Sequence, residues 1–222
     1  VTSREGGGYF NRAGGADWRW QMGGADVLQV QARVSGTRYD GELMELLDLS
    51  RERENGSVLK VSFSRNMKHY QLAAGWDRLT EGFRADLGFM PQVDVERFFA
   101  RGGLIWWGRP RSWLSRTSLD MVLNQKKDGS GNLLEREGEF SLNLQWPMQS
   151  SLMVNATLRR KGYEGTLFDQ QRFHVMFSLR PSGNLFLHGW VGLGDDIDYT
   201  NVQAARFLSF SPEMELFLGR QV

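Results

Sequence analysis

Residues 9–22 read YFNRAGGADWRWQM, and their alternation decides the fold class. Phe10, Arg12, Gly14, Ala16, Trp18, Trp20 and Met22 fall on one side of an extended chain. Tyr9, Asn11, Ala13, Gly15, Asp17, Arg19 and Gln21 fall on the other. A period of two with one largely apolar and one largely polar face is the pattern of a β-strand between two different environments. Gly23, Gly24, Ala25 and Asp26 interrupt it, and it resumes with Leu28, Val30, Ala32 and Val34 against Gln29, Gln31, Arg33 and Ser35, which makes the pair a hairpin.

The same alternation returns around Leu59–Phe63, Tyr70–Trp76, Trp113–Leu123, Phe140–Trp146, Leu152–Leu158 and Phe173–Leu179. About a dozen strands are expected, many of about ten residues, where strands of soluble proteins average about five or six. Short connections are expected at Gly23–Asp26, Arg65–Lys68, Arg109–Ser112, Pro147–Ser150, Pro181–Asn184 and around Ser211–Pro212. Long ones are expected at Arg38–Gly56, Leu79–Asp94, Gln125–Leu134, Arg160–Gln170 and Asp195–Thr200. Tight turns at one end and long loops at the other are the arrangement of an antiparallel, up-and-down transmembrane β-barrel.

Alternation alone leaves open whether the apolar face points into a core or out into lipid. Aromatic placement favours lipid. Trp18, Trp20, Phe63, Tyr70, Trp106, Trp107, Trp113, Trp146, Phe177 and Phe186 lie near the short turns, and Phe10, Trp76, Phe140 and Phe173 lie farther along their strands. Two aromatic girdles about 25 Å apart match an outer-membrane hydrocarbon band. The first segment runs into a short turn, and the last, Glu213–Val222, is read as leaving one. On that reading both ends lie on the external side, so the chain is expected to be a single barrel domain or an internal portion of a larger, even-stranded barrel.

Composition agrees without deciding. The 222 residues carry a net charge of +1, 26 Gly, 5 Pro and no Cys. The near-neutral charge gives no reason to expect nucleic acid as a partner. No window is apolar enough for a spanning helix.

A resemblance enters at Asn11–Asp17, at Gly75, Trp76, Asp77 and Arg78, and at Phe83, Leu87, Gly88, Phe89, Met90 and Asp94. These stretches resemble the C-terminal barrel of bacterial outer-membrane proteins of unassigned function in which a carbohydrate-binding-like β-sandwich precedes the barrel. Gln92 stands where that family has a basic residue. The resemblance spans about Gly8–Trp107, and implies a Gram-negative outer-membrane location and an N-terminal domain outside the chain. It supplies no substrate and no catalytic residues.

The chemistry-bearing residues are few. Ser178 lies four residues from His174, about 13 Å along a strand and too far for a nucleophile–base hydrogen bond. His174 is expected simply to line water. Asp128–Asn132 and Asp195, Asp196 and Asp198 place oxygen ligands at alternate positions, but without the Gly and bidentate Glu of a calcium loop they read as solvated turns. Leu43, Met44, Leu46 and Leu47 have helical spacing, which a helix at the barrel mouth and an extended strand explain equally well. No catalytic, cofactor-binding or metal residues are expected.

The polar face carries Asp17, Arg19, Arg33, Lys60, Asp77, Arg116, Asp120, Glu139, Arg159, Arg172 and His174 as candidate lumen-lining residues. The girdle candidates are Trp18, Trp20, Tyr70, Trp76, Trp106, Trp113, Phe140, Trp146 and Phe177. Mixed charges suit a hydrated interior in which strands pair their charges, and equally a lumen filled by its own side chains or a plug. The functional expectation is a channel or transporter, with a membrane anchor or interaction barrel second and an outer-membrane enzyme last. The expected partners are the lipid bilayer and proteins of a membrane complex.

Overall fold

The computed structural model describes residues 2–46, 48, 51–86, 92–217 and 219. The chain is all-β, as the alternation requires. Twelve strands form one antiparallel sheet in the order β1 to β12, each beside its sequence neighbours. They are β1 (Thr2–Gly6), β2 (Tyr9–Met22), β3 (Asp26–Arg38), β4 (Arg53–Asn66), β5 (Tyr70–Leu79), β6 (Val95–Trp107), β7 (Arg116–Lys127), β8 (Leu133–Trp146), β9 (Ser150–Tyr163), β10 (Thr166–Ser182), β11 (Leu185–Asp198) and β12 (Gln203–Leu216). One short helix, α1 (Gly41–Leu46), lies between β3 and β4. Asp40 caps it, its Oδ1 accepting the Leu43 amide at 2.8 Å. Of the two readings of this segment the helix is therefore the correct one; Leu47 lies outside the described residues.

The strands are longer than the sequence indicates, and this corrects several connections. β7 and β8 are joined by residues 128–132, β9 and β10 by 164–165, and β11 and β12 by 199–202, where long loops were expected. Alternating charged residues such as Arg159, Lys161 and Asp169 look like loop composition, yet they continue the ladder, with Lys161 opposite Phe168 and Arg160 opposite Asp169. The turn expected at Ser211–Pro212 is absent, because β12 runs straight through it with Ser211 opposite Trp190 and Pro212 opposite Gly189. Pro212 is tolerated there because the amide it lacks is a single rung of one ladder. The connection at Arg109–Ser112 is wider than expected, covering residues 108–115. β1, paired with β2 from Thr2↔Ala13 to Gly6↔Tyr9, is a strand that the alternation did not reveal.

These corrections reverse the direction argument. With β1 at the front and β12 uninterrupted, β1 begins and β12 ends on the side of the short turns.

The chain divides into two compact units, one of residues 1–65, 73–99 and 125–133 and one of residues 66–72, 100–124 and 134–222. In both, the apolar face is the exposed one. Val34 is 63% exposed while the next residue, Ser35, is 6% exposed; Leu142 is 37% exposed beside Ser141 at 9%.

Candidate functional site

The candidate site is the polar face, built in each unit by parity and register. In the second unit, Arg159 on β9 reaches Glu135 at 3.2 Å and Glu137 at 3.5 Å, both on β8. Glu139 accepts the Asn155 amide at 2.7 Å. Arg172 on β10 donates to Asp196 on β11 at 2.6 Å and to the Asp195 carbonyl at 3.0 Å. Asp120 on β7 accepts Gln71 at 2.5 Å and lies 3.5 Å from Arg101. Arg116 lies over the Trp107 ring, 5.4 Å from its centroid. His174 has Trp190 and Phe207 as ring neighbours at 6.3 and 5.9 Å, and Ser178 shares its hydroxyl hydrogen bond with Ser151 at 2.8 Å.

In the first unit, Asp17 and Arg33 approach to 3.8 Å and remain largely exposed, and Asp77 lies 3.9 Å from Arg97. Arg19 and Lys60 make no ion pair among the described residues. Of the candidate charges, only Asp17 and Arg33 pair with each other among the described residues. The partners of the other candidates, Arg97, Arg101, Glu135, Glu137 and Asp196, were missed because a pair across strands needs the register, which one strand's periodicity does not contain.

A second feature of the first unit was not foreseen. The segment Thr80–Asp86, which follows β5, folds back over the polar face of β2–β4. Phe83 is 3% exposed, and a Cβ on Gly56 would overlap the Phe83 backbone. Asn11, 2% exposed, donates to the Arg84 carbonyl at 3.3 Å and accepts the Asp86 amide at 3.3 Å, and it also donates to Thr37 Oγ1 at 2.8 Å. Ser35 Oγ accepts the Arg84 amide at 2.9 Å, the Arg84 guanidinium lies 3.6 Å from Glu54, and Tyr9 donates its hydroxyl to Asp86. Buried polar side chains on the polar strand face are thus used up in holding a piece of the chain itself.

Most of the girdle candidates lie toward the ends of their strands, but Phe140 sits midway along β8, opposite Ala156 in the middle of β9. Trp18 and Trp20 (ring centroids 6.0 Å apart), Trp106, Trp113, Phe140 and Phe177 are exposed. Trp146 packs 6.5 Å from Trp113. Tyr70 is half-buried at the start of β5, and Trp76 donates its indole N–H to Glu96 at 2.7 Å. Two belt aromatics are corrected. Trp107 donates to the Lys68 carbonyl under Arg116, and Phe186 stacks on His188, so both belong to the polar face.

The acidic turns engage their own neighbours. Asn132 donates to Asp128 through its side chain and its backbone at 2.8 Å each, and those bonds hold the carboxyl below its ordinary range. Asp196 is taken by Arg172, and Asp198 by Asn201 and Gln203. Among the described residues no cluster of His, Asp and Glu is placed to hold a metal ion.

No family model, no curated protein and no solved structure matches this chain.

Proposed function

We propose that the protein is a Gram-negative outer-membrane β-barrel that works as a channel or transporter for polar solutes. The observation that carries the reading is the inverted exposure of the sheet, with Val34, Leu142, Leu208 and Phe210 outside and Asn11, Ser35, Thr37 and Ser141 covered. Monomeric soluble proteins rarely expose contiguous apolar patches beyond a few hundred Å². Here the apolar face recurs on consecutive strands. On β12 it runs from Leu208 to Leu216, about 27 Å of strand and about 21 Å of height at a 40° tilt, close to an outer-membrane hydrocarbon band. Beyond it stand Arg206 on β12, and Arg160 paired with Asp169 on β9 and β10, as at a headgroup boundary.

Paired charges of both signs on the other face suit water and give weak ion selectivity. In hydrocarbon a sheet keeps no unpaired edge, so the reading entails a closed sheet. The resemblance at Asn11–Asp17 belongs to the same proposal. A second reading, an anchoring barrel with a blocked lumen, draws on one observation, the segment Thr80–Asp86 held across β2–β4.

Conductance across a planar bilayer tests the proposal. Discrete, weakly selective steps are expected from the detergent-purified protein. A silent, inserted protein would favour the anchor, and a soluble monomer purified without detergent would overturn the membrane reading.

A further inference from the structure

Along β11 the polar face departs from its own pattern. At five successive levels of that face an aromatic ring stands where other strands place charges or hydroxyls. β11 itself supplies Phe186, His188 and Trp190. At the next two levels β11 has Gly192 and Gly194, and its neighbours supply the rings: His174 of β10 stands opposite Gly192, and Phe207 of β12 opposite Gly194. Three of the four steps bring rings close together, with centroids 5.0 Å apart for Phe186 and His188, 6.3 Å for Trp190 and His174, and 5.9 Å for His174 and Phe207. In the remaining step, His188 and Trp190 are next-but-one neighbours on one face of β11. A Cβ on Gly192 would come within 2.6 Å of the His174 ring, so the glycine makes room for a ring borrowed from β10. All five rings are half-buried, so each keeps part of its surface open. The row covers eight residue steps, about 27 Å of strand.

The flanks of the row are polar. Glu213 and Glu215 lie 3.4 and 3.3 Å from His188. At the other end Arg172 lies over Phe207, but its charge is committed to Asp196. A ligand for this surface needs apolar faces to lie on the rings and hydroxyls to meet carboxylates and imidazole at the edges. At the middle of the row it carries no negative charge, because Glu213 and Glu215 would repel it, and at the far end Arg172 is already neutralised by Asp196. Arg180, one residue past the Leu179↔Leu187 pair and bonded to the neutral Gln149, is a donor for hydroxyls at the Phe186 end. Neutral sugar rings have both properties, and a chain of them can occupy successive levels.

We propose that the ring row Phe186, His188, Trp190, His174 and Phe207 is a binding track for neutral pyranose oligosaccharides. This rests on the channel reading, and names the solute class for it.

The test uses the full chain in a planar bilayer with maltohexaose and cellohexaose as probes, and a polyethylene glycol of matching size as control. Transient, concentration-dependent closures are expected with at least one sugar and not with the glycol. Trp190→Ala should weaken the block about tenfold or more, and Trp190→Phe, which keeps a ring, should retain most of it. Open channels that neither sugar blocks, or a block indifferent to Trp190→Ala, would overturn the track. If the bilayer stays silent, calorimetry on the micelle-held protein decides. Sugar binding that Trp190→Ala removes would keep the track and discard the channel, whereas no binding would discard the track.

Discussion

Ser141, Leu142 and Asn143 are consecutive in β8, and they alternate between the two faces of the sheet. Ser141 is buried within reach of Glu139 and Asn155, with its hydroxyl 2.9 Å from the Asn155 amide, while Leu142 stands exposed on the apolar face. If that face meets lipid, Leu142→Arg should lower stability by about 2–4 kcal/mol, as a charge near the bilayer midplane does, and Asn143→Arg should cost much less. Urea unfolding of the protein in vesicles reads the difference, and equal costs at the two positions would remove the assignment of faces. Residue-level parity was legible in the sequence wherever one face was consistently polar. It failed along residues 95–107 and 185–198, which the alternation did not single out, whereas 208–216 alternate cleanly and were hidden by the turn expected at Ser211–Pro212. In β6, Phe98 and Phe99 are apolar on both parities, as are Trp106 and Trp107; in β11, Phe186 and Trp190 put rings on the polar side of a strand whose other side is Leu185, Leu187 and Val191. The pattern is therefore obscured where rings occupy the polar parity.

Among the elements, the segment Thr80–Asp86 is the one that no periodicity could have placed. It has no repeat of its own, and its position is set by side chains distant in sequence: Asn11, Ser35 and the space left by Gly56. Asn11 did stand out in the stretch that carries the family resemblance, but only the structure assigns it a physical task. Removing it leaves the Arg84 carbonyl and the Asp86 amide without that partner, at a cost of about 1–3 kcal/mol. Gly56→Leu acts differently, because the extended β4 backbone accepts any side chain whereas the Phe83 backbone occupies the space the new one needs. Both variants should free the segment while leaving the sheet intact. Trypsin cleavage after Arg84 in micelles should accelerate in each, with circular dichroism unchanged; a cleavage rate equal to that of the unsubstituted protein would mean that these contacts do not hold the segment. The strand ends were poorly legible for a related reason. Arg160 and Asp169 have loop composition, yet they bond at 2.5 and 2.7 Å across β9 and β10 and carry the hairpin on to Tyr163 and Thr166.

At the scale of the whole molecule, the two sets of connections differ enough to assign a direction to the proposed barrel. One end carries residues 23–25, 67–69, 108–115, 147–149 and 183–184. The other carries 7–8, 39–52, 80–94, 128–132, 164–165 and 199–202, two of which, 39–52 and 80–94, are long. β1 begins and β12 ends at the first end. In barrels of this kind the short turns face the periplasm and the longer loops face outward, because only a longer connection can project beyond the headgroups. A small epitope inserted between Ser130 and Gly131 should therefore be reached by antibody on intact cells. Gly131 already has a positive φ of 89° at the tip of its turn, so the insertion disturbs no ladder. The same epitope between Gly183 and Asn184 should be reached only after the outer membrane is opened. Access at Gly183 with none at Ser130 would invert the proposed barrel. Access at both sites would argue that no membrane separates them, and the outward apolar face would then need a protein partner to cover it.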